Sequence, residues 1–254
     1  MKINNIVILY MSRVLFLFDV DGTLTLPRLQ MNEEMLTCLE KLHTIENYDL
    51  GFVGGSDLHK QIEQIGETNM DLFSWKFSEN GLVSYYKDEL INKTSLLDEL
   101  GEDNYQKLIN VCLSVLSETN VPVKRSNFIE LRNGMINISP IGRNCSQSER
   151  EQFFLWDETH KIRQQIIEKI KCKLPEFNLN FSIGGQISID IFPIGWDKTY
   201  CLQFLKKSKY DIIYFFGDRT EPGGNDYEIY SDARVNAFSV KKYTETISLL
   251  SKYY

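Results

Sequence analysis

Hydrophobic residues follow two different patterns along the chain. Towards both ends, unbroken apolar runs, which are typical of buried strands, alternate with segments whose apolar residues recur at helical spacing. The apolar runs cover residues 14–18, 50–53 and 212–216, and the helical segments cover residues 32–42, 57–65, 197–207 and 243–252. Alternating strands and helices predict a parallel sheet with crossover helices, which is an α/β fold.

The middle of the chain alternates helices with hairpins instead. Helical spacing predicts one helix at about 103–117 and a longer one at about 148–170. Each helix is followed by two strands of alternating polar and apolar residues. The first pair of strands turns at Asn133-Gly134, a strong hairpin signal, and the second pair turns at a Gly-Gly dipeptide.

These two patterns predict two domains. We expect a Rossmann-like, parallel-sheet core made of residues 1–90 and 196–254, with an antiparallel α+β domain, residues 91–195, inserted in it. The length of 254 residues, with 43% apolar and 25% charged residues, is that of an ordinary globular chain. Disordered, collagen-like and coiled-coil classes are therefore excluded.

Charge and cysteine content narrow the choice of partners and compartment. The net charge of −7 argues against nucleic acid or an anionic membrane as a partner. The cysteines number five, which is odd, and form no CxxC pair. They therefore favour a reducing compartment over a disulfide framework. No apolar run reaches the length of a membrane span.

Residues 1–18 contain an apolar stretch that superficially resembles a secretion signal or an anchor. Ser12 and Arg13 interrupt this stretch, no small-residue cleavage site follows it, and it runs directly into Asp19. We therefore predict a buried strand before Asp19 and an N-terminal extension, residues 1–11, before that strand. Translation from Met11 is an alternative start.

Alternation in the two hairpins separates an apolar face of the inserted sheet from a polar face. The apolar face carries Ile129, Leu131, Ile136, Ile138, Ile187, Ile189 and Ile191. The polar face carries Glu130, Arg132, Asn137, Ser188 and Asp190. Periodicity alone favours a solvated sheet face for these polar residues, and the alternative is a surface turned towards a neighbouring domain.

The strongest chemical signal is Asp19-Val20-Asp21-Gly22-Thr23, directly after the first apolar strand. Ligands of open α/β sheets bind beyond the carboxyl ends of the strands. Two carboxylates at such an end can divide the work, one as nucleophile or metal ligand and the other as proton donor and acceptor. Short sequences of this kind also occur by chance in loops, but a position after a buried strand favours chemistry.

A second acidic stretch follows the last apolar strand. It begins with Gly217-Asp218 and continues to Asp226 and Asp232. If the first and last apolar strands are neighbours, Asp19 and Asp218 meet, and their charges repel unless a cation lies between them. Carboxylate oxygens suit Mg²⁺, which also binds phosphate. The alternative is an acidic surface loop.

Ser56 and Lys198 complete the candidate chemistry. Ser56 follows a strand and two glycines and opens a helix, where a hydroxyl and backbone N–H groups can bind an anion. Asp57 could instead cap that helix. Lys198 lies at a predicted helix start, where a cation is unfavourable without a partner such as a phosphate or the Asp19 carboxylate. The alternative is an exposed lysine.

The four sequence features described above, taken in chain order, resemble the motifs of the haloacid-dehalogenase-like phosphotransferase superfamily. DVDGT, Ser56, Lys198 and Gly217-Asp218 match its first to fourth motifs, and the inserted domain looks like its larger, type-two (C2b) cap. Longer stretches resemble the eukaryotic phosphomannomutases over nearly the whole chain from Val14 onwards. These stretches are FDVDGTLT, FVGGSD, FSENGLV, FIELRNGMINISPIGR, FSIGGQISIDIFP and FFGDRT.

This resemblance implies roles for the residues of the core. Asp19 would be the nucleophile that forms an aspartyl-phosphate, and Asp21 would be the general acid and base. Ser56 and Lys198 would hold the transferring phosphoryl group. The implied Mg²⁺ ligands are Asp19, Asp21 through its backbone carbonyl, and Asp218.

Substrate and cation contacts are implied in the same way. The implied substrate-binding residues are Arg28 in the core and Arg132, Asn137, Arg143, Arg150, Ser188 and Asp190 in the cap. A second, structural cation loop would use Asp226, the Tyr230 carbonyl and Asp232, although Val235 stands where the family has a threonine. Without the resemblance, Arg143 and Arg150 would be ordinary surface charges.

The implied activity interconverts mannose 6-phosphate and mannose 1-phosphate and supplies mannose 1-phosphate for GDP-mannose synthesis. A hexose 1,6-bisphosphate activator would prime Asp19, and closure of the cap would exclude water. A hexose-phosphate phosphatase with the same nucleophile is the alternative, and a non-catalytic sugar-phosphate sensor is a third reading. The resemblance further implies a cytosolic homodimer joined through the caps.

Overall fold

The computed structural model describes residues 12–205 and 210–254. The chain divides into two compact units. The first runs to Lys93 and resumes at Gly195, and the second comprises Thr94–Ile194. The N-terminal extension that the sequence suggests, including Met11, lies outside the described residues.

Strands and helices are distributed over both units. The described strands are β1 (Val14–Phe18), β2 (Tyr48–Val53), β3 (Trp75–Ser78), β4 (Val83–Tyr86), β5 (Glu89–Lys93), β6 (Ile129–Leu131), β7 (Ile136–Ile138), β8 (Leu179–Gly184), β9 (Ser188–Pro193), β10 (Ile212–Gly217) and β11 (Asn236–Ser239). The described α-helices are α1 (Glu33–His43), α2 (Leu58–Ile65), α3 (Leu96–Leu100), α4 (Glu102–Glu118), α5 (Gln147–His160), α6 (Ile162–Lys173), α7 (Tyr227–Tyr230) and α8 (Tyr243–Leu250). Short 3₁₀ helices cover Glu67–Leu72, Glu79–Gly81 and Lys198–Gln203.

The first unit is built on a seven-stranded sheet with the order β11-β10-β1-β2-β3-β4-β5. The strands from β11 to β3 are parallel, and β4 and β5 are antiparallel to their neighbours. All five residues of β1 are buried because apolar clusters cover the sheet on both faces. A strand covered on both faces has an apolar residue at every position, which explains the unbroken run. The predicted α/β class with a parallel-sheet core is confirmed.

Side chains of β1 alternate between the two apolar clusters. Phe16 and Phe18 belong to the cluster that includes buried residues of α1 and α8. Leu15 and Leu17 belong to the cluster on the other face, which includes Cys201 of a 3₁₀ helix. The strand is therefore fixed from both sides, and so is the loop that leaves its carboxyl end.

The second unit contains an antiparallel sheet with the order β6-β7-β9-β8. The pairing places Ile136 opposite Ile191 and Ile138 opposite Ile189, and all four side chains are fully buried. Helix α6 contacts β8 and β9, and α4 packs against α6. The predicted antiparallel sheet in the middle of the chain is confirmed.

Two helix predictions differ from the structure. The single helix expected at 148–170 is wrong, because α5 and α6 are separated by Lys161 in the left-handed conformation (φ +51°). The Asp157 carboxylate accepts hydrogen bonds from the backbone N–H and the Nε of Arg163, at 3.1 and 2.6 Å. These side-chain bonds stabilise the turn in place of a continuous helical ladder.

The helix expected at 197–207 is, in its described part, the 3₁₀ helix Lys198–Gln203. The Asp197 side chain accepts from the backbone N–H of Thr199 at 2.8 Å, which begins the helix with a tight turn. Residues 206–207 of that prediction lie outside the described residues.

All five cysteines are free. In the two described ranges, every helix is too short or too polar to cross a membrane.

Candidate active site

Asp19 and Asp218 come together because their strands are neighbours. Asp19 follows β1 and Asp218 follows β10, which pairs with β1 in parallel register. The Asp19 N–H donates to the carbonyl of Phe216 at 2.9 Å and continues the ladder past the end of β1. The two carboxylates therefore meet at the carboxyl edge of the sheet, where ligands of such sheets bind.

Asp226 joins these two residues in the same cluster. Carboxylate oxygens of Asp19, Asp218 and Asp226 lie within 4.8 Å of one another. Asp226 is fully buried, and its Oδ2 accepts from the backbone N–H groups of Asp218 and Arg219 at 2.9 and 3.0 Å. Its side chain thus folds the loop after β10 back onto the end of the strand.

The resemblance also assigns Asp226 to a second cation loop with Tyr230 and Asp232. The Asp232 carboxylate pairs with Arg234, accepting from Nε at 2.8 Å and from Nη2 at 2.7 Å. Asp226 follows Asp218 by eight residues in the sequence, and the hydrogen bond between them brings its carboxylate to the end of β10.

The Lys198 ammonium lies inside the carboxylate cluster. It is 1% exposed and contacts Oδ1 of Asp19 and Oδ1 of Asp226. Asp197 caps the 3₁₀ helix that Lys198 begins, so the backbone before the ammonium is fixed as well. A lysine buried this deeply requires opposite charges around it, and these two carboxylates provide them.

Burial and mutual repulsion perturb the titration of this cluster. Burial raises the pKa of Asp19 to about 7, against the attraction of Lys198 and together with the charges of Asp226 and Asp218. The pKa of Asp218 is also raised, by burial and by Asp226. Burial alone would lower the pKa of Lys198, but Asp19 and Asp226 outweigh it and raise that pKa. One ammonium among three carboxylates leaves an excess of negative charge, which a further cation would relieve.

Gly22 makes the close approach of the first loop possible. Its φ is +80°, and a Cβ at this position would lie 2.4 Å from Oδ2 of Asp218. Any other residue would therefore be strained and would displace the Asp218 carboxylate. Glycine is required here both by the backbone conformation and by the neighbouring carboxylate.

Asp21 is held by two donors beside this cluster. Its Oδ1 accepts from the backbone N–H of Arg28 and from Nε2 of Gln64, both at 2.7 Å. Arg28 has a left-handed backbone (φ +62°), which turns its N–H towards Asp21. The sequence singled out Asp21 and Arg28 but not Gln64, whose position on α2 carries no motif.

A pocket of about 290 Å³ opens beside the carboxylates. Its lining includes Asp19, Asp21, Arg28, Ser56, Gln64 and Asp218. Ser56 lies in this pocket, and Asp57 caps α2 by accepting from the N–H of Lys60 at 3.0 Å. The capping role that the sequence left open for Asp57 is thus observed, and the Ser56 hydroxyl is not needed to begin the helix.

In the second unit, the polar face of the sheet is joined by hydrogen bonds. Asn137 lies opposite Asp190 and donates to its carboxylate at 2.5 Å, and the Ser188 hydroxyl donates to the Asn137 Oδ1 at 3.3 Å. Arg143 also donates to the Asn137 Oδ1. Four of the expected substrate-binding residues therefore lie together on this face.

Glu130 connects two arginines on the same face. Its carboxylate pairs with Nε of Arg132 at 3.1 Å and with Nε of Arg143. Arg150 adds a hydrogen bond from Nη2 to the backbone carbonyl of Arg143 at 2.7 Å. The alternation of β6 placed Glu130 on this face, but its pairing with both arginines could be seen only in the structure.

Comparison with known proteins gives a consistent result. The sequence profile of the eukaryotic phosphomannomutase family matches residues 35–254. The phosphomannomutase of Schizosaccharomyces pombe is 50% identical over 243 residues, which cover 94% of each chain. The phosphomannomutase of Saccharomyces cerevisiae is 50% identical over 238 residues, which cover 94% of this chain and 93% of that one.

A solved structure is similar in fold. A haloacid dehalogenase-like hydrolase from Bacteroides thetaiotaomicron superposes with a TM-score of 0.60 and covers 96% of this chain and 100% of its own. Its sequence is only 13% identical, so the likeness concerns the fold alone.

Proposed function

The chain belongs to the eukaryotic phosphomannomutase family, and we propose that it interconverts mannose 6-phosphate and mannose 1-phosphate through an aspartyl-phosphate at Asp19. The observation that carries the mechanism is the placement of Asp19, a buried carboxylate at the end of β1 that contacts the Lys198 ammonium and borders an open pocket. Asp21 lines the same pocket two residues further on.

The chemical step follows from these positions. An oxygen of the Asp19 carboxylate attacks the phosphorus of a hexose 1,6-bisphosphate, and the bond from phosphorus to the sugar oxygen breaks. The departing sugar oxygen takes a proton from the Asp21 carboxyl group. In the return transfer, Asp21 removes the proton of a sugar hydroxyl, which attacks the phosphorus of the aspartyl-phosphate and releases Asp19.

The phosphoryl group carries charge that must be balanced in both directions. Lys198 supplies a fixed positive charge beside Asp19, and the Ser56 hydroxyl supplies a hydrogen bond across the pocket. The donor set of Asp19, Asp218 and Asp226 fits Mg²⁺, because carboxylate oxygens are its preferred protein ligands and the cluster has excess negative charge. When bound, Mg²⁺ would add neutralising charge at the transferring group, and the Asp21 carbonyl would be a further ligand.

We assign recognition of the substrate phosphate that is not being transferred to the second unit, which we propose is the cap domain of the enzyme. The supporting observation is the polar face on which Arg132 and Arg143 share Glu130, with Arg150 bonded beside them. Arginine suits a phosphate because its planar fork matches two phosphate oxygens. Asn137, Ser188 and Asp190 offer donors and acceptors for sugar hydroxyls, and the Arg28 guanidinium offers donors in the first unit.

The proposal extends to the setting of the enzyme. We assign Asp226, the Tyr230 carbonyl and Asp232 to a second cation loop, and we expect a homodimer formed through the second unit. Free cysteines support a reducing, cytoplasmic location, where mannose 1-phosphate would supply GDP-mannose synthesis. Sedimentation of the whole chain would test dimerisation, and calorimetric titration of Mg²⁺ into wild type and Asp232→Asn would test the second cation loop separately.

A phosphorus NMR time course tests the activity. The protein is given Mg²⁺ and mannose 1-phosphate, with and without glucose 1,6-bisphosphate, and Asp19→Asn serves as the inactive control. Growth of the mannose 6-phosphate signal only with the bisphosphate is the expected result. Growth of inorganic phosphate instead would make the protein a phosphatase, and binding without turnover would make it a sensor. Full activity of Asp19→Asn would show that the nucleophile is another residue.

A further inference from the structure

Gln64 makes contacts that the activity alone does not explain. Its side chain is 8% exposed, and its Nε2 lies 2.7 Å from Oδ1 of Asp21 and 3.4 Å from Oγ1 of Thr25. Its backbone carbonyl accepts from the N–H of Met31 at 2.7 Å. The residue therefore joins α2 both to the general acid and base and to the end of the loop that carries it.

The orientation of the Gln64 amide is fixed by its surroundings. The Thr25 hydroxyl donates its hydrogen to the carbonyl of Val20 at 3.3 Å, so its oxygen is an acceptor towards Gln64. An ionised Asp21 is also an acceptor. Both partners therefore require the amide NH₂ group rather than the amide oxygen, and the amide cannot flip without losing both bonds.

These contacts decide which Asp21 oxygen can carry a proton. Oδ1 receives two N–H donors, from Gln64 and from the backbone of Arg28. Two donors directed at one oxygen exclude a proton from that oxygen, because the hydrogens would collide. A proton on the Asp21 carboxyl group therefore belongs on Oδ2.

We propose that Gln64 is a positioning residue that holds Asp21 so that Oδ2 alone exchanges the proton with the sugar oxygen. The inference rests on the function proposed above for Asp21. In phosphorylation of Asp19, the bond from phosphorus to the sugar oxygen breaks and Oδ2 gives its proton to that oxygen. In the return transfer, Oδ2 takes the proton of the attacking hydroxyl. Gln64 acts through its hydrogen bond to Asp21.

The choice of phosphoryl donor separates this role from a structural one. A sugar oxygen must be protonated as it leaves, whereas the acetate of acetyl phosphate leaves as a stable anion and needs no proton. In Gln64→Leu, we expect phosphorylation of Asp19 by glucose 1,6-bisphosphate to slow by about 10- to 100-fold, part of the usual contribution of general acid catalysis. Phosphorylation by acetyl phosphate should stay within about twofold of wild type, and in steady state kcat should fall while KM changes little.

Two matched variants make the test independent of folding. Gln64→Glu keeps the size of the side chain but removes the NH₂ group that donates to Asp21. Phosphorylation by glucose 1,6-bisphosphate should therefore slow as in Gln64→Leu, while phosphorylation by acetyl phosphate should stay near the wild-type rate. Gln61→Leu removes a buried amide from the same helix, where Gln61 bonds Phe77 and Ser78 instead. Gln61→Leu should lower the melting temperature. The ratio of the rates at which glucose 1,6-bisphosphate and acetyl phosphate phosphorylate Asp19 should stay at the wild-type value.

A double variant gives the decisive comparison. If Gln64 acts only through Asp21, Gln64→Leu should cause no further loss in an Asp21→Asn background. Equal slowing with both donors, or a full additional loss in that background, would overturn the positioning role. If the wild type is phosphorylated by neither donor, the proposed function itself fails, and that outcome is distinct because it does not depend on Gln64.

Discussion

The Lys198 ammonium contacts the Asp19 carboxylate although 179 positions separate the two residues in the sequence. The second unit, Thr94–Ile194, accounts for more than half of that separation. The second unit leaves the first after Lys93 and returns at Gly195, three residues before Lys198. An entire domain is therefore inserted without disturbing a buried ion pair.

This ion pair leads to the first prediction. We expect Lys198→Met to slow phosphorylation of Asp19 by at least about 100-fold, because the fixed charge that balances the transferring group is lost. Quenched-flow detection of the phosphorylated protein measures this step directly. Lys60→Met is the control, since Lys60 forms an exposed pair with Asp57 and should leave the rate unchanged. Equal rates in wild type and Lys198→Met would assign the charge balance to another group.

The convergence of Asp19 and Asp218 could be anticipated from sequence for a physical reason. Both residues follow strands that are covered on two faces, and such strands appear as unbroken apolar runs. Parallel neighbours end at the same edge of the sheet, so residues after them must meet. Strand β3 (Trp75–Ser78) gave no such signal, because it contains Lys76, a buried lysine whose ammonium reaches the Asp88 carboxylate at 2.8 Å.

Other contacts could not be anticipated because they depend on the folded chain. Gln64 lies in none of the motifs and contributes by meeting Asp21, which is 43 positions away in the sequence. Glu130 contributes by pairing with both Arg132 and Arg143, which alternation alone does not show. Asp226 belongs to the cluster because its carboxylate accepts from the backbone N–H groups of Asp218 and Arg219. The break at Lys161 likewise depends on the bonds between Asp157 and Arg163. Hydrophobic periodicity shows which face of a strand or helix is buried, but it does not show which polar side chains form hydrogen bonds or ion pairs with one another.

The second prediction concerns the metal. We expect Mg²⁺ to raise the melting temperature, because a ligand that binds only the folded chain stabilises it by about 2.7 kcal/mol at 100 times its dissociation constant. Asp218→Asn should reduce this shift, since it removes one of the three carboxylates of the cluster. Glu228→Gln removes an exposed carboxylate nearby and should keep the full shift. Thermal melts with Mg²⁺ or with EDTA measure the difference, and an undiminished shift in Asp218→Asn would place the ion elsewhere.

The third prediction concerns Glu130, which pairs with Arg132 and Arg143. If these arginines bind a substrate phosphate as proposed, that phosphate must compete with the Glu130 carboxylate for them. We therefore expect Glu130→Gln to lower KM for mannose 1-phosphate by about two- to fivefold, the range of exposed ion pairs, with kcat little changed. Glu151→Gln, an exposed change on α5, is the control. A higher KM in Glu130→Gln would show that the carboxylate organises the arginines rather than competing for them.

The fourth prediction concerns the buried pair of Asp157 and Arg163. Both side chains are 5% exposed, and Arg163 also donates to the Gly185 carbonyl at 3.0 Å, so it fixes the turn before β9. Arg163→Met leaves an uncompensated carboxylate and should cost about 3–5 kcal/mol of unfolding free energy. The double variant Asp157→Leu/Arg163→Met should recover most of that loss. Urea denaturation of the whole chain measures both, and a double variant as unstable as the single one would show that the Gly185 bond matters more than the charges.

The fifth prediction concerns pH and the start of α5. The backbone N–H of Ser146 donates to the Glu149 carboxylate at 2.8 Å, and this bond, with the Arg125 guanidinium, holds the pKa of Glu149 below its usual value. A carboxyl group with a lowered pKa in the folded state binds fewer protons there than in the unfolded chain. Such a group stabilises the fold above its unfolded pKa. The stabilisation is lost as the pH falls through its folded pKa. We therefore expect wild type to be more stable than Glu149→Gln at neutral pH, and the two to converge as the pH falls through the lowered folded-state pKa of Glu149. Glu158→Gln, on the exposed side of the same helix, should follow wild type throughout. Denaturation curves between pH 7 and pH 3 test this, and a constant gap between wild type and Glu149→Gln would mean that packing rather than charge stabilises the start of the helix.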